Sequence, residues 1–323
     1  MGVGAVHIDE KMRSAGMEVL RIPSADVSDP EELRRAVGSG RPMLFRGLAS
    51  HWPAVGSWTP EKLKQRYPDV EVNALIGLPS SGVLFPQDQR EYERTLSFSR
   101  FVDTMMTASP AAPCYLAYKR AGDLFDPSDY DVDSLTPDDG YSTDTRVWIG
   151  SAGTRSMLHS DLKDNFFCQI WGEKRVTLLP WRDSRAAYPF PDNLVNSRVD
   201  LADADLDRFP RLRGARFHHA SVGPGDVLFI PRGCWHDIRS TTPSISVNHW
   251  FGKPQGVRAY LRLLGRLGPA FWYPAARDFV RHGVLGREER TTFFFSPPST
   301  GKRLYDAVRW GDFSRDNDPH RDS

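Results

Sequence analysis

No run of about 18 apolar residues, the length a helix needs to cross a bilayer, occurs in the chain. The opening MGVGAVHIDEK also lacks the apolar stretch of a secretory leader. No membrane partner is expected, and a cytoplasmic location is. Cysteine is scarce: Cys114, Cys168 and Cys234 are three, widely spaced and odd in number, which argues against a disulfide framework and suits a reducing compartment. Net charge is nearly absent, with 42 Lys and Arg against 41 Asp and Glu. Such a balance gives no global attraction to nucleic acid. No internal repeat is present.

What is present is length enough, at 323 residues, for one large β-rich domain and an appendage. The stretch Ser156 to Leu179, SMLHSDLKDNFFCQIWGEKRVTLL, concentrates the chemistry. On an extended strand, residues two apart share a face, so His159 and Asp161 project together and Ser160 turns away. An imidazole and a carboxylate placed so need one more ligand to form the 2-His-1-carboxylate face that leaves iron three open positions. His236 in GDVLFIPRGCWHDIRS is the candidate. Pro224-Gly225-Asp226 signals a turn, Val227 to Ile230 a buried strand, and Pro231-Arg232-Gly233 a break just before it. Ser244 to Phe251 alternates as a further strand, with Ile245, Val247 and His249 on one face and Ser246, Asn248 and Trp250 on the other. The adjacent His218 and His219 would face opposite sides of a strand, so ordinary packing or surface positions are expected for them.

Elsewhere the pattern mixes strands and helices. Residues 1 to about 20 are expected to be a loose lead-in, followed by a β-like segment Val19 to Ile22. Helices are expected over Glu31 to Val37, from Thr59-Pro60 to before Pro68, and over Ser97 to Met106. Pro42 to Phe45, Cys114 to Tyr118 and Arg146 to Gly150 read as strands. Trp52 and Trp58 read as packing aromatics. Between Gly122 and Asp144 lie eight Asp and no Lys or Arg. That stretch is too polar for core and reads as a solvated loop; alternatively it sits at a pocket mouth and attracts a cationic substrate. Arg182 to Arg216 reads as a long irregular connection. Beyond Phe251, Gly256 to Leu267 has Val257, Leu261 and Leu264 at helical spacing opposite Arg258, Arg262 and Arg266. A second helix is expected over Ala275 to Val284, and a frayed polar tail from Phe313 to Ser323.

HSDLKDNFFCQIWGEKRVTLLPW, PGDVLFIPRGCWHDIRS and ISVNHWF, in that order, resemble the JmjC/cupin-like family of Fe(II)- and 2-oxoglutarate-dependent oxygenases, in particular its asparaginyl and peptidyl hydroxylase branch. The resemblance runs from about Ile22 to Phe251. It implies a mainly β fold with flanking helices, a double-stranded β-helix or cupin-type jelly roll, over residues 21–252. Residues 1–20 would lead in, and residues 253–323 would form a helical extension and tail. It implies that His159, Asp161 and His236 hold Fe(II). Lys174, fifteen residues after the first of them, matches the lysine that pairs with the far carboxylate of 2-oxoglutarate. Tyr115 and Ser156, where relatives often carry Thr, match hydroxyls that assist it. Asn165 and Asn248 match amides near its metal-bound end. The implied reaction uses O2, turns 2-oxoglutarate into succinate, and hydroxylates an amino-acid side chain in a peptide or protein. Demethylation of N-methyl-lysine is the alternative within the enzyme class, and a non-catalytic cupin-like metal-binding or regulatory protein the alternative outside it. Family members often pair through C-terminal helices, which implies a homodimer.

Overall fold

The computed structural model describes residues 8–25, 30–85, 87–289 and 297–315. Fourteen strands follow in chain order. They are β1 (Glu18–Arg21), β2 (Ser24–Ala25), β3 (Met43–Phe45), β4 (Glu71–Ile76), β5 (Glu93–Ser97), β6 (Cys114–Arg120) and β7 (Asp144–Gly150). Then come β8 (Arg155–Ser160), β9 (Asp164–Trp171), β10 (Lys174–Leu179), β11 (Arg216–Val222), β12 (Val227–Ile230), β13 (Trp235–Ser240) and β14 (Ser244–Phe251). They pair into a five-stranded sheet, β1-β11-β10-β13-β8, and a nine-stranded sheet, β2-β3-β12-β9-β14-β7-β6-β4-β5. Successive strands β8 to β14 alternate between the two sheets, apart from the shared placement of β10 and β11. This is a jelly-roll β-sandwich with flanking helices.

Period-two alternation decides what faces the interior. On β9, Phe166, Cys168 and Ile170 point to the cluster that also holds Val147, Ile149, Ile245 and Val247. Helices Pro30–Gly38, Pro53–Ser57, Pro60–Arg66 and Phe98–Thr107 cover that outer face. The side chains of Thr59 and Ser97 cap two of them by accepting from the Lys62 and Arg100 amides. The opposite row of β9 turns inward, where Phe167 meets Val176, Leu178, Leu228, Ile230 and Ile238 between the sheets. Trp52 and Trp58 are fully buried, as packing aromatics should be.

Three segments differ from the sequence expectation. The lead-in contains a helix, Ile8–Ser14, whose Ile8 and Met12 pack with Leu158, Leu179 and Trp235 on the outer face of the smaller sheet. The Asp-rich stretch exposes most of its carboxylates, as expected of a solvated loop, but it is also anchored: Leu124, Phe125, Tyr130, Val132 and Leu135 belong to the main core. Asp129 accepts from the Trp58 indole at 3.0 Å and from Arg66 at 2.9 Å. At the C-terminal end the helix Val257–Leu267 buries Tyr260, Leu263 and Leu264 and leaves Leu261 exposed. The next helix is Pro269–Asp278, started by Pro269 and followed by a π-helical turn Phe279–Val284, and a further helix covers Thr300–Trp310. These helices share a cluster with Leu162, Leu194 and Val195, and Phe313, expected in a frayed tail, is buried within it. Residues 316–323 of that tail lie outside the described residues. Among the described residues no helix is long and apolar enough to cross a membrane.

Candidate metal centre and co-substrate cavity

β8 and β13 run antiparallel with His159 directly opposite His236. Opposed residues in such a pair hold their Cβ atoms about 4.5–5.5 Å apart, and here the ring centroids are 4.1 Å apart. Asp161 follows the last residue of β8. Its Oδ1 lies 3.9 Å from His159 Nε2 and its Oδ2 3.5 Å from His236 Nε2. One ligand atom from each residue falls within 4.8 Å of the others.

The tautomers follow from the backbone. His159 Nδ1 is 2.6 Å from the Met157 carbonyl oxygen, and His236 Nδ1 is 3.0 Å from that of Cys234. A carbonyl oxygen only accepts, so Nδ1 carries the proton in each ring and Nε2 turns its lone pair toward Asp161. Burial pushes the His236 pKa down to about 4, reinforced by His159 and opposed by Asp161. The ring is therefore neutral at neutral pH, the form that can bind a metal. His236 is only 2% exposed, while His159 and Asp161 retain 29% and 21%. The accessible side of the triad faces outward from these two.

A small inner cavity beside the triad is lined by Ser156, Phe167, Lys174, Asn248 and Trp250, among others. Lys174 opens β10 after a turn at Gly172, whose φ of 71° suits glycine and where a Cβ would collide with the Pro243 carbonyl oxygen. From there its ammonium crosses the sandwich to Ser246 Oγ at 2.8 Å. Lys174 is 1% exposed, and burial lowers its pKa from 10.5 to about 7. Among the described residues no carboxylate pairs with it. Tyr115, on β6, is hydrogen-bonded by Ser156, and burial raises its phenol well above the usual range.

Ser156 reaches that cavity through a bulge. Strict alternation would put it on the face opposite His159, but the β8–β13 register slips between the His159–His236 and Ser156–Ile238 pairs. The extra residue on β8 returns Ser156 to the inner side. Asn248 is 5% exposed and lines the inner cavity. Asn165 does not line it, yet it shares an inward row with Phe167, is fully buried, and has no hydrogen-bond partner for either amide atom. A buried amide with both ends open is uncommon in a folded chain.

These observations fit an iron and 2-oxoglutarate site on this chain's own terms. Two imidazoles and a carboxyl group are a donor set for non-haem iron. A buried amine with no carboxylate partner among the described residues accommodates an anion, and the open amide of Asn165 offers unused hydrogen-bonding capacity. The inner cavity joins a larger one of about 1150 Å³, to which Tyr115, Trp148, Ser156, His159, Asp161 and Trp250 are common. Its rim includes Asp123, Tyr141 and Asp144 from the Asp-rich stretch, Arg303 from the helix Thr300–Trp310, and Phe313 from the turn that follows it. The residues that sequence reasoning did not assign are Ser246 and Trp250. Both sit on the β14 face that carries Asn248, and that shared face was the available signal.

Fold and donor set together define a jelly-roll domain with a candidate metal site, and a family model for the cupin-like domain matches residues 29–256. The chain belongs to that family. It is 27% identical over 250 residues to Jumonji C domain-containing protein 5 of Drosophila melanogaster, covering 71% of this chain and 59% of the relative. It is 30% identical over 225 residues to Lysine-specific demethylase JMJ30 of Arabidopsis thaliana, covering 66% and 50%. HSPB1-associated protein 1 of Rattus norvegicus is 28% identical over 252 residues, covering 68% and 51%. The chain spans about half the length of the curated relatives it matches.

Proposed function

We propose that the chain is an Fe(II)- and 2-oxoglutarate-dependent oxygenase that hydroxylates an amino-acid side chain within a peptide or protein. The observation that carries this reading is Lys174, a buried amine with no carboxylate partner among the described residues, in the same cavity as the His159, Asp161 and His236 triad. Bound iron, 2-oxoglutarate and O2 would supply the oxidising power to attack an unactivated C–H bond, with succinate as co-product. The chain's residues do the rest. The Nε2 lone pairs and the Asp161 carboxylate hold the metal, and Lys174 selects a dicarboxylic keto acid by pairing with its far carboxylate. The Tyr115 and Ser156 hydroxyls and the Asn165 and Asn248 amides complete the polar lining. The larger cavity, at about 1150 Å³, has room for a peptide segment. Its wall offers both signs, with Asp123 and Asp144 beside Arg120, Lys163 and Lys253. A cationic substrate is thus one arm of the test rather than a premise.

Several relatives are named lysine-specific demethylases, which favours a second reading in which the hydroxylated carbon is an N-methyl group. Anaerobically reconstituted chain given 2-oxoglutarate and a peptide library should form succinate, with mass spectrometry reading either a gained oxygen or a lost methyl. No succinate with any peptide, in a chain shown to hold iron, would overturn both. Three buried free cysteines support a reducing compartment such as the cytoplasm. Exposed Leu261, Trp272 and Tyr273 on the C-terminal helices support pairing of two copies there, which sedimentation of the Leu261→Glu variant would check.

A further inference from the structure

Asp161 has a hydrogen-bond donor that the triad does not supply. The Trp250 indole Nε1 donates to Asp161 Oδ2 at 2.7 Å. An indole N–H donates only and does not titrate near neutral pH, so this contact persists whatever the charge state around it. The backbone of Asp161 is held by the Gly233 amide at 2.8 Å. Among the described residues, its side chain receives no other hydrogen bond than the one from Trp250.

Trp250 is itself placed firmly. Its backbone pairs with Asp144 on β7 and with Asn165 on β9. Its ring lies 6.0 Å from that of Tyr118, a residue with a φ of 59° where the β6–β7 register slips between Leu116 and Lys119. The Arg146 guanidinium stands 4.4 Å from the Tyr118 ring centroid and steadies it. Left-handed backbone at a bulky residue is costly, and here it sets an aromatic ring against Trp250.

We propose that Trp250 is a positioning residue for the metal. Its N–H occupies one lone pair of Oδ2 and would so favour Asp161 as a one-oxygen ligand through Oδ1. The contact also ties β14 of the larger sheet to the end of β8 in the smaller one, across the mouth of the inner cavity. A carboxylate fixed in this way loses less freedom when a metal arrives and swings less readily to chelate with both oxygens.

The inference rests on the metal reading above, and the experiment separates the two. Co(II) is the probe, titrated into the metal-free full chain and followed by its visible absorption bands. Trp250→Phe keeps an apolar ring in the cavity wall and deletes the N–H. Its Co(II) affinity should fall about 10–100-fold, with a changed band shape. Asp131→Asn, an exposed change outside both cavities, should keep the parent's affinity and bands. Trp250→Leu is measured beside it, so the comparison survives if one substitution prevents folding. Parent-like affinity and bands in either folded Trp250 variant overturn the positioning role alone. A parent chain that takes up no Co(II) overturns the metal reading and this role with it.

Discussion

Lys174→Met should stabilise the substrate-free chain while abolishing its response to 2-oxoglutarate. Burial lowers the Lys174 pKa from 10.5 to about 7. One pKa unit corresponds to about 1.4 kcal/mol, so at pH 7 the folded chain carries a penalty of about 4 kcal/mol for that side chain. Methionine fills a similar volume without charge, and losing the bond to Ser246 returns about 1 kcal/mol of that gain. The net expectation is a variant more stable by about 3 kcal/mol, as often happens when a buried charge is replaced by an apolar group. The pH dependence has a definite sign. Between about pH 7 and 10.5 the unfolded chain holds a proton that the folded chain lacks. The parent therefore gains stability as pH rises through that window, and the variant lacks this part of the slope. On the proposed function, bound 2-oxoglutarate would restore the ammonium, so its binding to the parent above pH 7 should take up a proton. Urea unfolding at pH 7 and 9, with and without 2-oxoglutarate, reads all of this. A Lys174→Met chain less stable than the parent at pH 7 without ligand would refute the desolvation argument. Equal stabilisation of both chains by 2-oxoglutarate would show that another cation holds the far carboxylate.

His159→Ala and Asp161→Ala should lose metal uptake and succinate formation, and keep the circular dichroism of the parent, because the sandwich core does not include them. Gly172→Ala forces a side chain into left-handed backbone against Pro243. It should cost about 1–3 kcal/mol and weaken 2-oxoglutarate binding through Lys174, two residues on. Phe125→Ala should cost about 3–5 kcal/mol in urea unfolding, since its ring packs 4.1 Å from that of Trp58, whereas exposed Asp131→Asn should change stability by less than about 0.5 kcal/mol. His219 is pushed down to about 4 by burial, against the pull of Asp9. The unfolded chain takes up that proton at about 6.5, so stability falls as pH drops from 6.5 to 4, by about 3 kcal/mol. His219→Asn should flatten that loss in acid titrations.

The triad was legible because a strand has a period of two, and His159 and Asp161 obey it. The direct opposition of His159 and His236 was not, since register between distant strands is set by the whole sheet. Ser156 shows the limit most clearly: alternation alone places it on the wrong side, and a bulge with one extra residue on β8 between the His159–His236 and Ser156–Ile238 pairs corrects it. The Asp-rich stretch misled only in part, and for a different reason. Its average polarity is high, yet Leu124, Phe125, Tyr130, Val132 and Leu135 anchor it in the core, and averaging over a window hides isolated anchors. That also removes Asp129 from any purely electrostatic role, because it holds Trp58 and Arg66. The helix Thr300–Trp310 begins Thr-Gly and carries few apolar residues at regular spacing, so its burial against Pro269–Asp278 was visible only in the packing.

The inward row of β14 makes the length of that strand a constraint of its own. Ser246 bonds Lys174, Asn248 lines the inner cavity, and Trp250 bonds Asp161. Inserting or deleting one residue between Ser246 and Trp250 would exchange the inward and outward rows beyond that point. His249 or Phe251 would then replace the indole beside Asp161. A two-residue change preserves parity but slides each group by about 7 Å along the strand, past its partner. Substitution can retune this strand, whereas indels cannot. Divergence in length should instead accumulate in connections such as Arg182 to Arg216.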